Sequence, residues 1–443
     1  VSSLDPQGAR RGRSWLSARD WAANAGLFLL ALAARALSWR DVFEGGRTFF
    51  AGNDAYYHAR RILYASLHFP HVLGFDPTVN FPHGGEPIWP PLFDGAAALL
   101  VRALVGPGDA AGMEHVLVWI PPLLGAATVV GVSLLGRAQL GAGAGLLAGL
   151  VLALLPAHVA ISRIGYVDHH VAVSALSVVL LACAMALLGE AGAAEPRAGR
   201  LVRLGLATGA AAGASFLLWP GMLLHVAVAD AGLLLFLLTR EHPGRARHLA
   251  LCLAAAHALA FALVAPFALG RHWRVWGDFS PAVLSDFQPW LLGCAILVFA
   301  GLTLSWRDRD GRLGWARRLV PLLAGGAVLL LASALWIPDF GHAAGDAWRW
   351  FAKQERFQAE VLESQPLFVV RGRLDARLAE SQLSRLVYAF PFGLVLAVAL
   401  LRRAPRAAPR RLLLGWSGVL FAATVVQMRF ADSFAPAYAL CLG

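Results

Sequence analysis

Charge is scarce in this sequence, and one cation is almost missing. Asp, Glu, Lys and Arg make up 15% of the 443 residues, against about 25% in soluble domains. Lysine occurs once, as Lys353, so arginine carries the positive charge. Cysteine is also rare. Cys183, Cys252, Cys294 and Cys441 lie inside apolar runs, with no CxxC or metal spacing. They read as small core residues, and no disulfide framework is implied. No clean repeat, coiled coil or low-complexity linker is visible. What is abundant is hydrocarbon: 58% of residues are hydrophobic and the mean hydropathy is +0.61. Runs such as residues 146–161 with their flanks and 319–337 are each long enough to cross ~30 Å of lipid as a helix. The chain therefore reads as an all-α polytopic membrane protein.

The net charge of +11 would suggest nucleic acid in a soluble protein. Here the arginines cluster in short loops between apolar runs, so topology explains them first and no nucleic acid is expected. Spans are expected near 20–38, 115–136, 141–160, 169–189, 201–218, 221–239, 248–269, 290–306, 319–337, 384–401 and 411–428, with a last one from 431. The first follows Arg10, Arg11, Arg13 and Arg19, a signal-anchor pattern with a cytoplasmic N-terminus. Residues 90–105 carry Asp94 and Arg102. A mid-span charge costs at least ~2.5 kcal/mol, so this stretch reads as an interfacial or half-buried helix. The even-numbered loops then fall on the cytoplasmic side with Arg137; Arg197, Arg200 and Arg203; Arg240, Arg245 and Arg247; Arg307, Arg309, Arg312, Arg317 and Arg318; and Arg402, Arg403, Arg406, Arg410 and Arg411. That is a strong positive-inside pattern.

The organisation expected is one transmembrane domain over 1–443, with two long external loops at 39–114 and 338–383. Loops of that length are usually functional. The chain begins at Val1 and stops at Gly443 within an apolar run, as expected of a piece of a longer protein.

Four polar clusters fall on the face away from the basic loops. They are Gly52-Asn53-Asp54-Ala55-Tyr56-Tyr57-His58-Ala59-Arg60, Arg163-Ile164-Gly165-Tyr166-Val167-Asp168-His169-His170, Glu360-Val361-Leu362-Glu363-Ser364-Gln365-Pro366, and Arg429-Phe430. Asp168 and His170 could turn two ligand atoms to one centre, and carboxylate with imidazole suits Mn²⁺, Mg²⁺ or Zn²⁺. Asp54 would supply a third ligand. Taken singly, each has a blander reading. Asp168 and Asp54 are good N-caps, Glu363 a solvated loop residue, and Arg429 a snorkelling arginine. Arg429 lies outside, however, against the charge trend, where an arginine can bind phosphate bidentately. Together the clusters describe a site for a metal and an anionic headgroup at a membrane surface.

The ordered set Asn-Asp-x-Tyr-Tyr-His-x-Arg, Gly-Tyr-x-Asp-His-His, Val-x-Glu-x-Gln-Pro and Arg-Phe-x-x-x-Phe-Ala-Pro resembles the catalytic subunit of oligosaccharyltransferases. Trp219-Pro220-Gly221 is similar to that family's Trp-Gly-Gly-type turn. The resemblance implies the C-type glycosyltransferase membrane fold. It also implies inverting transfer of an oligosaccharide from a polyprenyl diphosphate to an asparagine amide of a protein or peptide, dependent on Mn²⁺ or Mg²⁺. By resemblance Asp54 binds the metal and contacts the acceptor amide, Asp168 and His170 are metal ligands, Glu363 holds the amide, and Arg429 binds the carrier diphosphate. His58, Arg163 and Tyr166 are supporting candidates. The site would face away from the cytoplasm in a plasma (inner) membrane.

Three departures stand. Glu360 occupies a position where many members have Ser or Thr. Ser285-Asp286-Phe287-Gln288-Pro289 partly imitates the Glu363 motif. The family's soluble C-terminal domain, with Trp-Trp-Asp-Tyr-Gly, is not found in this sequence. Two other functions compete. One is single-sugar transfer from a prenyl phosphate to lipid or Ser/Thr. The other is transport, for which Asp230 and His257 are the candidate intramembrane groups.

Overall fold

The computed structural model describes residues 16–239, 242–304, 314–351, 361–370, 372–401 and 407–443. Lys353, Glu360, and the arginines at 10, 11, 13, 240, 307, 309, 312, 402, 403 and 406 lie outside the described residues.

Each expected span overlaps helix among the described residues. Six described helices are long and apolar enough to cross a membrane: Ala110–Leu140, His170–Ala191, Ala198–Leu218, Pro220–Leu238, Gly244–Ala268 and Arg318–Trp336. The other expected spans are shorter, as in Phe287–Leu302, Phe390–Leu401 and Ala431–Leu442, or more polar, as in Ala18–Ala36 and Ala408–Val426. On Arg318–Trp336 the side chains of Leu323, Val328, Leu331 and Trp336 are exposed, as expected where lipid is the solvent. Where helices touch, small residues permit close approach. Gly209 lies so near the backbone of Ala256 that a methyl group there would collide with it, which brings Ala198–Leu218 against Pro243–Ala268.

Some expected spans are not single straight α-helices. The span over 141–160 is broken: Ala142–Leu154 and Pro156–Ser162 meet at 61°. Pro156 has no N–H to continue the ladder, and Arg35 satisfies carbonyls freed by the break. Its guanidinium, fully buried, donates to Ala153 O at 3.1 Å and Ser162 Oγ at 2.7 Å, and meets His158 Nδ1 at 2.6 Å. The span over 384–401 begins as a 3-10 turn, Arg385–Tyr388, and is α-helical only from Phe390.

Polar contacts sort the two ends of the bundle. At one end Arg137 pairs with Asp20 at 2.5 Å, Arg410 reaches Gln139 O, Arg200 pairs with Glu190, and Arg318 donates to Leu238 O. These are the arginine-bearing loops. Ala18–Ala36 runs from that end to the other, where Ile164 N donates to Arg35 O.

On this second end the first long loop folds into four helices, the single turn Trp39–Val42 and then Asn53–Leu67, Leu92–Leu104 and Ala110–Leu117, of which the last runs on into the following span, and a short hairpin pairing Phe43–Glu44 with Arg47–Thr48. Leu92–Leu104, with 13 residues, is ~20 Å long, too short to span. Its apolar face (Phe93, Ala97, Ala98, Val101) packs on Ala55, Ala59 and Ile62 and on Ile164, Val167 and Val173, forming a small core separate from the main bundle. Asp230 and His257 form a 3.0 Å pair between two membrane helices, with His257 also bonded to Leu253 O. Neither lines the cavity described next.

Candidate active site

Helical periodicity starts the site. Asp54, His58 and Arg61, at i, i+4 and i+7 of Asn53–Leu67, share one face. Gly52, at φ +98°, turns the chain into this helix. Asp54 is therefore inside the first turn rather than capping it. There it meets the positive end of the helix dipole.

Leu92–Leu104 adds Asp94, which is fully buried. Asp94 bonds His58 Nδ1 at 2.7 Å and forms an ion pair with Arg61 at 2.7 Å, while Arg61 also donates to Trp89 O at 3.0 Å. The mid-helix charge that made this stretch a poor span is thus an anchor. The opposite nitrogen of His58 faces Asp168 Oδ1 at 3.2 Å.

Residues 163–169 are held by backbone bonds to three elements: Ile164 N to Arg35 O, Gly165 N to Val118 O, and Ala51 N to Gly165 O. Gly165 has φ +82°, and a Cβ there would lie 2.9 Å from Val42 Cγ2. Gly165→Ala should therefore cost ~1–3 kcal/mol and lower the thermal unfolding midpoint in detergent; an unchanged midpoint would refute the strain. Asp168 ends this loop and is not the N-cap of His170–Ala191, a position held by His169. Its Oδ1 accepts from His169 Nδ1 at 2.6 Å, and its Oδ2 lies 3.6 Å from His170 Nε2.

The second long loop brings Glu363. Its carboxylate is half-exposed and 3.6 Å from His170 Nε2. The loop is fastened to the end of Ala408–Val426 by Leu367 N to Val425 O and Met428 N to Gln365 O, and Arg429 donates to Ser364 Oγ at 2.7 Å. Asp432, one turn after Arg429, bonds His170 Nδ1 at 2.5 Å.

The result is one cavity of about 140 Å³, lined by Asp54, His169, His170, Glu363, Arg429 and Asp432 with the Trp89 and Trp219 rings. Asp168 lies behind it, bonded to His169. Of the candidates read from sequence, Asp54, His170, Glu363 and Arg429 line the cavity. His58 is behind Asp168. Arg163 is exposed and stacks over Tyr166 at 5.7 Å, while the Tyr166 ring is 6.4 Å from that of His170. The imitating segment closes on itself through Ser285 N to Gln288 Oε1 and Ser285 Oγ to Ser280 O, and none of its five residues lines the cavity. Sequence reasoning missed Arg61, Asp94 and Asp432 as site residues. The i, i+4, i+7 spacing could have flagged Arg61, and an acid one turn from Arg429 could have flagged Asp432.

Electrostatics favour a cation. Burial, then the like charges of Asp168 and Glu363, raise Asp54 above its usual value. Burial opposes ionisation of Asp168, but His170 and His169 outweigh it and hold the carboxyl well below the usual range. Burial likewise opposes protonation of His58, yet Asp94 and Asp168 raise it to about 9. His58, Asp168 and His169 each offer a donor atom within 4.8 Å of the others. Carboxylate oxygens with imidazole nitrogens suit Mn²⁺, Mg²⁺ or Zn²⁺, so this group fits a divalent ion. Of the ligands expected from the sequence it contains Asp168, while Asp54 and His170 lie outside it, with His170 Nε2 3.6 Å from Asp168 Oδ2.

Comparison with known proteins agrees with this architecture. A dolichyl-phosphooligosaccharide-protein glycotransferase 3 of Archaeoglobus fulgidus is 26% identical over 92% of this chain and 47% of its own length. The chain thus spans about half of that relative. The oligosaccharyltransferase AglB of the same organism, solved with an inhibitory peptide and a dolichol-phosphate, superposes with TM-score 0.82 at 20% identity, over 97% of this chain and 50% of that one. A second structure of an A. fulgidus oligosaccharyltransferase, a complex with Zn and sulfate, gives 0.69 at 20% identity, over 95% and 48%. These superpositions establish the membrane fold. The family model described as oligosaccharyl transferase STT3, N-terminal, matches residues 26–297, more than half of the chain, and the protein belongs to that family.

Proposed function

We propose that this protein transfers an oligosaccharide from a polyprenyl-diphosphate carrier to the side-chain amide of asparagine in a protein or peptide, with a divalent cation, on the non-cytoplasmic face of the membrane. One observation carries the reading. A single cavity draws Asp54, His170, Glu363 and Arg429 from four distant segments, and together they supply donors for a cation and an anion. The arginine loops gather at the far end of the bundle, which supports a non-cytoplasmic site. The relatives' names, and the dolichol-phosphate, peptide, Zn and sulfate of the two solved complexes, are consistent with it.

The amide nitrogen is a weak nucleophile. Asp54 and Glu363 accept hydrogen bonds from its two N–H groups and orient its lone pair toward the anomeric carbon. As the N–C bond forms, the sugar–phosphate C–O bond breaks, the carbon inverts, and one amide proton leaves toward these carboxylates. Arg429 takes the developing charge on the diphosphate bidentately. Asp54, Asp168 and His170 would hold the divalent ion, which would supply further positive charge for that leaving group. The prenyl tail stays in lipid while its headgroup reaches the cavity.

The test is glycopeptide mass. Full-length protein, a polyprenyl-diphosphate oligosaccharide, an Asn-x-Ser/Thr peptide and Mn²⁺ should give a peptide heavier by the whole glycan. A chelator should abolish the gain, and fresh Mn²⁺ should restore it. No gain from folded protein across several carriers and acceptors would overturn the reading, as would transfer of a single sugar to lipid or Ser/Thr.

A further inference from the structure

Asp432 belongs to no cluster singled out from the sequence, and neither carrier binding nor amide binding uses it. We propose that Asp432 is a positioning residue: it fixes the tautomer and rotation of His170 so that Nε2 of that ring is offered to the divalent ion. The proposal rests on the metal site of the proposed function and assigns a determinant of its affinity.

The geometry of one ring carries the argument. His170 Nδ1 is 2.5 Å from Asp432 Oδ2, across 262 residues of chain. A neutral imidazole that donates from Nδ1 is left with a lone pair on Nε2. That Nε2 lies 3.6 Å from both Asp168 Oδ2 and Glu363 Oε1. The separation is beyond hydrogen-bond length, and ligands of one ion, each ~2.0–2.2 Å from it, can lie that far apart. The nitrogen thus faces two carboxylates without bonding either. His169 stacks on the ring at 4.6 Å and restrains its plane. Rotation about the side chain is then set mainly by Asp432.

A second histidine repeats the pattern independently. His58 Nδ1 is bonded to Asp94 at 2.7 Å, and its Nε2 faces the other oxygen of Asp168 at 3.2 Å. Two imidazoles on different helices are each anchored at Nδ1 by a carboxylate, and each turns Nε2 to Asp168. Carboxylates that hold the far nitrogen of a ligating histidine orient the ring and raise its basicity. Asp432 also shares a turn with Arg429, so one short segment carries both the cavity's guanidinium and the anchor of its imidazole.

The experiment uses full-length protein in detergent and Mn²⁺ as the probe. Affinity is measured by titration, and imidazole coordination by the nitrogen modulation of the Mn²⁺ electron spin echo. Asp432→Ala should weaken Mn²⁺ binding ~10–100-fold and reduce the nitrogen modulation. Asp432→Asn, whose amide oxygen can still accept from Nδ1, should weaken it less and covers the case in which the alanine variant fails to fold. His170→Ala should match Asp432→Ala, and the double variant should lose no more than either alone. Wild-type affinity and modulation in Asp432→Ala, alongside lost binding in Asp168→Ala, would overturn the role of Asp432 and leave the metal site standing. Additive losses in the double variant would also overturn it, because Asp432 would then act independently of His170. If unmutated protein binds no Mn²⁺, the metal site falls and this assignment with it.

Discussion

Asp168→Ala should lower glycopeptide formation by roughly 10³-fold or more while the protein remains folded. The magnitude follows from what one carboxylate does. It touches His169 directly, faces His58 and His170, and is only 3% exposed. Loss of several kcal/mol of charge stabilisation at the leaving diphosphate is a factor of about 10³. Single-turnover kinetics with carrier pre-bound separates this chemical defect from weaker donor binding. Mn²⁺ titration should show the ion released. Transfer within a few-fold of wild type would remove Asp168 from the mechanism, and with it the centre on which both histidines converge.

Asp94→Ala should be the most destabilising substitution near the site, at ~3–5 kcal/mol, because it strands a buried charge. Arg61 is 2% exposed and pairs with Asp94 at 2.7 Å, so removing the carboxylate leaves the guanidinium without its ion-pair partner. Replacing both residues, as Asp94→Leu with Arg61→Leu, should recover much of the stability, since apolar pairs of similar volume often substitute for buried ion pairs. Activity should not return with it. His58 Nδ1 would still lack its acceptor, and the ring would no longer be aimed at Asp168. Chemical unfolding of the three variants reads the first effect and glycopeptide formation the second. Wild-type stability in Asp94→Ala would show that Arg61 finds another counter-charge.

Particular residues show where sequence reasoning ended. Asp54 and Asp168 both read as helix caps when taken singly, yet neither caps: one is inside a first turn, and the other lies two residues before its helix. Capping propensity is a local average, and here the helix starts are set by Gly52 and by the backbone bonds that hold 163–169. Asp94 was visible as a charge too costly for a span, but its partners, 33 and 36 residues earlier, were not. The break at Pro156 was open to prediction from the proline alone; the arginine that satisfies the broken helix comes from another element.

Sequence alone determined the quantities that add residue by residue. Transfer of apolar runs into lipid marked the helical segments, six of them long and apolar enough to cross a membrane among the described residues, and the sign of loop charge separated the basic end from the end that carries Asp54, Asp168, Glu363 and Arg429. Those terms need no knowledge of what touches what. Tertiary structure decided which atoms face one another: that His58 and His170 are anchored at Nδ1, that both turn to Asp168, and that Asp432 reaches across 262 residues to do so. Hydrogen bonds and ligand geometry depend on separations of a few tenths of an ångström. Only the packing of segments remote in the chain sets separations that fine.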